Sequence, residues 1–298
     1  MELRFDGRVA AVTGSGAGLG RSHVRCLAER GAAVVVNDVD AAAADAVAAE
    51  VRHDGGRAVA VAGSVSTPST AEAMVDAALT ELGGLDVVVA NAGVLRSADL
   101  SATSDEVWEE VVEVTLRGTF LVTRAAWPHL LERGFGRVVC TTSNSGLLGT
   151  PGSSAYAAAK AAVWGLVRTL ALEGAASGVQ VNAVAPMAYT AMSASSRNAP
   201  ASWRSGEGDA WAAQLSPERV SAVVAWLAHE SCPLTGEVLS AAGGRVARFF
   251  LGLTDGVVGI EDPEALADSI DAVLAADKYD ILPDAAAEGR ALHRRLRH

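Results

Sequence analysis

The chain has 298 residues, half of them hydrophobic, and a formal net charge of −11. That length supports one large α/β core, and the acidic balance argues against nucleic acid as a partner, because a phosphate backbone would be repelled. The three cysteines (Cys26, Cys140, Cys232) have neither metal-ligand nor disulfide-framework spacing, so they read as small buried hydrophobes in a reducing compartment, and no metal site is expected.

The opening segment MELRFDGRVAAVTG lacks the basic region, apolar run and cleavage site of a signal peptide. No apolar stretch is long enough to span a bilayer. A cytoplasmic protein with no membrane partner is expected. Short β-branched runs then alternate with Ala-rich stretches of helical length. Strands are expected at Arg8–Thr13, Ala33–Asn37, Ala58–Ala62, Leu85–Ala90, Gly136–Thr141 and Val179–Ala183, with a last one at Leu239–Ala242. Between them, Gly18–Arg30, Ala41–His53, Ser69–Glu81, Asp105–Leu131 and Ala155–Glu173 read as helices. Most of the runs are apolar throughout, as in strands buried on both faces of a parallel sheet. The fold class is therefore α/β, a doubly wound Rossmann-like sheet flanked by helices.

The first strand leads into Thr13-Gly14-Ser15-Gly16-Ala17-Gly18-Leu19-Gly20, which opens a helix. Glycines there permit a tight turn and close approach of a pyrophosphate to the helix N-terminus. Gly14, Gly18, Leu19 and Gly20 are the candidate contacts. Asp38 ends the second strand, 18 residues beyond Gly20. Its carboxylate can accept hydrogen bonds from an adenosine ribose and repel a 2′-phosphate. Ser15 and Val39 stand where an NADP enzyme would carry a base, and neither is basic, so NAD is the expected cofactor. Arg21, the nearest cation, is expected to face solvent or the sheet edge.

Asn91-Ala92-Gly93 follows the fourth strand. Ser143 follows the fifth, at the edge where α/β sheets bind ligands. Tyr156 and Lys160 are four apart, on one face of a helix. A free phenol titrates near ~10. The neighbouring ammonium is expected to lower that value, so that Tyr156 exchanges a proton with a substrate oxygen steadied by Ser143. Ala185-Pro186 ends the sixth strand at the same edge. The irregular stretch Ala188–Gln214 reads as a lid over the cleft or a surface excursion. Arg96, Arg197 and Arg204 near the mouth are candidates for a substrate phosphate.

Residues 1–248 are expected to form one cofactor-binding domain. Residues 249–298 form a C-terminal extension packed on that domain or on a partner subunit. Asp262-Pro263-Glu264 starts a helix in it, expected over Glu261–Ala276. Leu266, Ile270, Val273 and Leu274 make its apolar stripe, and the basic end ALHRRLRH reads as a surface segment.

In order and spacing, TGxxxGxG at Thr13–Gly20, NAG at Asn91–Gly93, Ser143 and Tyr156xxxLys160 make the chain resemble the short-chain dehydrogenase/reductase family from about Leu3 to Gly244. The resemblance implies a general acid–base Tyr156, a Lys160 that also binds the nicotinamide ribose, and a homodimer or homotetramer. It also implies dinucleotide contacts from Pro186 and Thr190, the latter to the carboxamide.

A narrower resemblance rests on GAGLGRSH, ERGAAVVVND, NAGVLR, LRGTFLVTRAAWPHL and WLAHESC. It is to the (3R)-hydroxyacyl-CoA dehydrogenase domains of peroxisomal multifunctional β-oxidation enzymes. There Ser64 and the Val65 backbone would meet the adenine, where most family members use Asp. Two departures stand out. Thr115 replaces the Asn that holds a relay water in many members, and Met187 replaces the usual Gly after Pro186.

The resulting expectation is an oxidoreductase that interconverts a secondary alcohol and a ketone with NAD. Its substrate is a small hydroxy or keto compound, a 3-hydroxyacyl-CoA of lipid metabolism or a similar bulky molecule. A steroid, terpenoid or other secondary alcohol dehydrogenase is the alternative. An NAD-binding sensor without turnover is the remote one.

Overall fold

A computed structural model describes residues 2–206 and 209–295. The chain divides into two compact units, Met1–Arg248 and Phe249–His298. In the first, β1 (Val9–Val12), β2 (Ala33–Asp38), β3 (Ala58–Ala62), β4 (Val87–Ala90), β5 (Gly136–Thr141), β6 (Val179–Met187) and β7 (Val238–Ala242) pair in parallel in the order β3-β2-β1-β4-β5-β6-β7. β8 (Arg245–Phe249) takes the edge beside β7. It follows a turn at Gly243 and Gly244, both at positive φ, and was not anticipated from the sequence.

The central strands are apolar because helices cover them on both faces. Val9–Val12 and Val87–Ala90 are buried along their whole length. α1 (Gly18–Ala28) and α2 (Ala41–His53) follow β1 and β2. α3 (Pro68–Ala77) follows β3 and leads into a π-helical turn at Ala78–Leu82. Between β4 and β5 run α4 (Asp105–Val112), a second π-helical turn at Glu113–Arg117 and α5 (Gly118–Arg133). The single helix expected there is thus interrupted, and a π turn inside a helix frequently marks a functional site.

α6 (Asn144–Leu148) and the long α7 (Ser154–Gly174) precede β6. Three short helices then form the irregular stretch: α8 (Ala191–Ser195), α9 (Ala201–Arg204) and α10 (Ala210–Gln214). α11 (Pro217–Ala228) packs against α1. One core cluster runs from β1, β2 and β4 through Val24 and Leu27 of α1 to Val224 and Leu227 of α11. The strand order reverses between β1 and β4, so a crevice opens at the carboxyl ends of these strands.

In the second unit, β9 (Leu253–Thr254) pairs antiparallel with β10 (Tyr279–Asp280), and Phe250 stacks on Tyr279 at 5.6 Å. α12 (Pro263–Leu274) starts where Asp262 caps it, accepting the Ala265 N–H at 2.7 Å. Leu266, Ile270 and Leu274 are exposed on it. α13 (Ala285–Arg295) covers most of the basic end, and its last three residues lie outside the described residues. Among the described residues no helix is long and apolar enough to cross a membrane, and no cluster of His, Cys, Asp or Glu is arranged to hold a metal.

Candidate active site

A cleft of about 880 Å³ opens along the carboxyl ends of the strands. All the residues singled out from the sequence as catalytic or cofactor contacts line it, from Gly14 and Asp38 at one end to Ser143, Tyr156 and Thr190 at the other. At the first end, α1 begins at Gly18, whose φ of 54° suits glycine. Gly20 must also lack a side chain, since a Cβ there would lie 2.1 Å from the Gly14 carbonyl oxygen. The residue before α1, Ala17, has no capping side chain, so the first-turn N–H groups are left for an anionic ligand.

Asp38 is fixed by backbone. One carboxylate oxygen accepts the Gly16 N–H at 2.9 Å and the other accepts the Asp40 N–H at 3.1 Å. Each oxygen keeps a further lone pair for a ribose hydroxyl. One expectation changes at this end. Ser15 is fully buried, accepting the Asn37 N–H and bonding the Val12 and Asn37 carbonyls. It shapes the turn and does not face the cleft, which at this end is lined instead by Asp38 and the exposed Val39. Arg21 is tied to Glu50 of α2 at 2.8 Å.

Ser64 bonds Ser66 through their hydroxyls at 2.9 Å. Val65 is buried against Gly118, where a Cβ would meet it at 2.5 Å. Asn91 is a brace as much as a contact. Its amide donates to the Thr13 and Gly14 carbonyls, while the Thr13 hydroxyl accepts the Asn91 and Ala92 N–H groups at 2.9 Å. Thr13, which opens the Gly-rich motif but had no separate role in the sequence reading, locks the β1 turn to the β4 turn.

At the other end, Ser143 caps α6 by accepting the Ser145 N–H at 3.1 Å. Its hydroxyl also lies near the Tyr156 hydroxyl and favours the phenolate there. Lys160 lies one turn further along α7, with Nζ 5.8 Å from the Tyr156 ring centre and donating to the Thr141 carbonyl at 2.5 Å. The Thr142 hydroxyl donates to the Lys160 carbonyl at 2.6 Å. Gly146 lets α6 press against α7 at that point, since a Cβ there would sit 2.8 Å from the Lys160 carbonyl carbon.

Burial pushes the Lys160 ammonium down to about 8. The expected lowering of the phenol does not appear. Burial instead pushes Tyr156 up, partly offset by the neighbouring Ser143 hydroxyl. The reason is desolvation: in this apolar setting loss of water outweighs the nearby cation, whose Nζ is bonded to a carbonyl.

Thr115, in the π-helical turn, is fully buried, and its hydroxyl accepts the Val94 N–H at 3.3 Å. A Cβ on Gly93 would lie 3.4 Å from both Thr115 Oγ1 and Lys160 Nζ, so the bare backbone of the NAG turn borders the Lys160 ammonium. Thr190 caps α8 in a reciprocal pair with Ser193 and lies across the cleft from Gly18, its methyl 3.7 Å from where a Cβ there would stand.

The irregular stretch adds Met192, Ala199 and Trp203 to the lining, with Trp203 edge-on to Tyr189. The three candidate phosphate ligands are all engaged. Arg96 pairs with Glu110, Arg197 with Asp99 at 2.9 Å, and Arg204 donates to the Arg197 carbonyl.

The short chain dehydrogenase profile matches residues 8–201. The chain belongs to the short-chain dehydrogenase family. It is 42% identical over 255 residues to the mouse peroxisomal multifunctional enzyme type 2, covering 83% of this chain and 33% of that one. The chain thus spans about a third of that relative's length. It is 40% identical to a hydroxyacyl-CoA dehydrogenase of Mycobacterium tuberculosis, covering 81% of this chain and 79% of that one. A cis-4-hydroxycyclohexanecarboxylate dehydrogenase of Sinomonas cyclohexanicum is also 40% identical, over 82% and 98%. The solved full-length peroxisomal multifunctional enzyme type 2 of Drosophila melanogaster superposes with a TM-score of 0.81 at 35% identity, covering 99% of this chain and 50% of that one.

The family works with nicotinamide dinucleotides, and the residues here fit one. An uncapped helix start, a side-chain-free Gly-rich turn and a backbone-held carboxylate face one cleft in the order pyrophosphate, ribose and adenine require. As a member of this family the chain groups with dehydrogenases.

Proposed function

We propose that the chain oxidises the 3-hydroxyl of a 3-hydroxyacyl thioester with NAD. The observation that carries the reading is the convergence of three side chains at one end of the cleft. The Tyr156 and Ser143 hydroxyls line the same end of the cleft, and Lys160 stands one turn behind Tyr156. The relatedness to a hydroxyacyl-CoA dehydrogenase over four fifths of both chains supports the substrate class. Asp38 supports NAD over NADP, because its fixed carboxylate would meet a 2′-phosphate as like charge.

In this reading the Ser143 hydroxyl donates to the substrate oxygen and orients it. Tyr156 takes the hydroxyl proton as a general base. The buried Lys160 cation favours the phenolate and is itself held by the Thr141 carbonyl. The nicotinamide, when bound, supplies the hydride acceptor. Gly14, Gly18, Leu19 and Gly20 would hold the pyrophosphate, Ser64 and Val65 the adenine, and Ala92, Gly93, Pro186 and Thr190 the nicotinamide half. Asn91 positions the turn beneath it.

The test is turnover of a 3-hydroxyacyl thioester with NAD and with NADP, beside Tyr156→Phe. Turnover with NAD that is lost in the variant is expected. Turnover of the hydroxycyclohexane acid alone would favour a second reading, a cyclic secondary alcohol dehydrogenase, which the apolar lining of Met187, Met192 and Trp203 and one relative support. Assembly as a homodimer or homotetramer, with α12 facing a partner subunit, belongs to the same proposal.

A further inference from the structure

Beyond Lys160, the substrate end of the cleft holds one ion pair whose partners both line it, Arg96 and Glu110. Arg96 Nε donates to Glu110 Oε2 at 2.9 Å and Nη2 to Oε1 at 2.5 Å, a fork grip, while Nη1 donates to the Leu95 carbonyl at 3.1 Å. Both side chains remain almost half exposed, 46% and 42%. Neither group is saturated. A guanidinium has about five N–H donors and three are spent here, and a carboxylate can accept about four hydrogen bonds and receives two from this partner. The pair therefore offers the cleft unused donors and unused acceptors side by side, with its net charge cancelled.

Those features select a ligand chemistry. An anionic group arriving at Arg96 would meet the Glu110 carboxylate, and a cation arriving at Glu110 would meet the guanidinium. A neutral group bearing an acceptor and a donor a bond or two apart satisfies both edges at once. A secondary amide is such a group, its carbonyl accepting from Arg96 and its N–H donating to Glu110.

The distance fits. Arg96 is three residues beyond Gly93, so their Cα atoms are at most roughly 10 Å apart, and Gly93 borders Lys160 Nζ. In a 3-hydroxyacyl thioester of an aminoethanethiol arm, the amide nitrogen is six bonds from the carbinol carbon, roughly 7–8 Å when extended. With the carbinol at Tyr156, the arm's first amide comes within reach of the Arg96 side chain.

We propose that Arg96 and Glu110 form a subsite for the first secondary amide of a substrate's thiol arm, and that this subsite sets the preference for such thioesters over simple hydroxy compounds. The proposal rests on the thioester reading above and adds the residues that recognise the arm. It also gives the pair a role other than capturing a phosphate.

The test compares two 3-hydroxybutyryl thioesters of equal arm length with NAD, the N-acetylcysteamine ester, which carries the amide, and the S-pentyl ester, which does not. For wild-type protein we expect kcat/KM to favour the amide ester by about tenfold or more, mostly through KM, as one or two hydrogen bonds to charged groups would give. In Arg96→Met the ratio should fall to within about twofold, and in Glu110→Gln to an intermediate value. A wild-type ratio near one, with both esters turned over, would overturn the subsite and leave the thioester reading standing. So would a ratio that survives in both variants. Turnover of neither ester would overturn the thioester reading and this proposal with it. If one variant fails to fold, the other still tests the assignment, and a wild-type ratio near one refutes it without either.

Discussion

Lys160 should be a stability liability that the protein carries for its chemistry. Its ammonium is buried, and its pKa falls from an ordinary 10.5 to about 8. At about 1.4 kcal/mol per pH unit, this gap amounts to roughly 3 kcal/mol of destabilisation near neutral pH. A basic group with a depressed folded pKa destabilises fully below that pKa. Between pH 8 and 10.5 the unfolded chain binds more protons than the folded one, so the penalty fades as pH rises and is gone above 10.5.

Lys160→Met removes this pH-dependent part. It also strands the Thr141 carbonyl, which accepts the Lys160 bond, at a cost of about 1–3 kcal/mol that does not vary with pH. The two contributions separate in melts of both proteins from pH 7 to 10. At a few degrees per kcal/mol for a chain of this size, the variant's relative Tm should drop by about 5–10 °C across that range, whatever its starting offset. A difference between the two proteins that stays constant with pH would refute the burial of a titrating ammonium at this site.

Other consequences are equally direct. Asp38→Ala should lower kcat/KM for NAD by about 10–100-fold and narrow its advantage over NADP, since hydrogen bonds to a charged group are lost; steady-state assays with both cofactors check this. His23 is buried between α1 and α11, with Nδ1 on the Ser221 hydroxyl at 2.8 Å, Nε2 without a partner, and its pKa pushed down from 6.5 to about 3 by burial. Stability should therefore be full above pH 6.5 and fall by about 1.4 kcal/mol per unit toward pH 3, and His23→Gln should flatten that slope in acid unfolding curves. Gly93→Ala places a methyl 3.4 Å from Lys160 Nζ and Thr115 Oγ1; the fold should survive while kcat falls by about tenfold or more. Removal of residues 249–298 should lower the number of subunits measured by light scattering, because α12 exposes Leu266, Ile270 and Leu274.

The sheet was legible because burial on both faces leaves an unmistakable signature. The runs around Val34, Val88 and Val138 need no partner information to be recognised as strands. The Gly-rich turn, Asp38 and Tyr156xxxLys160 were legible because each spacing has a local mechanical reason. What the sequence hid depends on distant partners. Thr13 matters through N–H groups 78 and 79 residues away, and Thr142 through a carbonyl 18 residues on. The π-helical turn at Thr115 interrupts a stretch whose apolar spacing reads as one helix. Ser15 looked like a cofactor-facing position until its hydroxyl was found bonded inward. The direction of the Tyr156 shift also escaped, because charge neighbours can be read from a spacing whereas burial cannot.

The most direct test of the central claim is the appearance of reduced nicotinamide absorbance when purified protein meets NAD and a racemic 3-hydroxyacyl-CoA, with NADP and Tyr156→Phe alongside. The account expects turnover with NAD, weak or no turnover with NADP, and loss of activity in the variant with NAD binding retained. Binding of NAD without turnover of this or any secondary alcohol would contradict it, as would a Tyr156→Phe variant as active as the wild type.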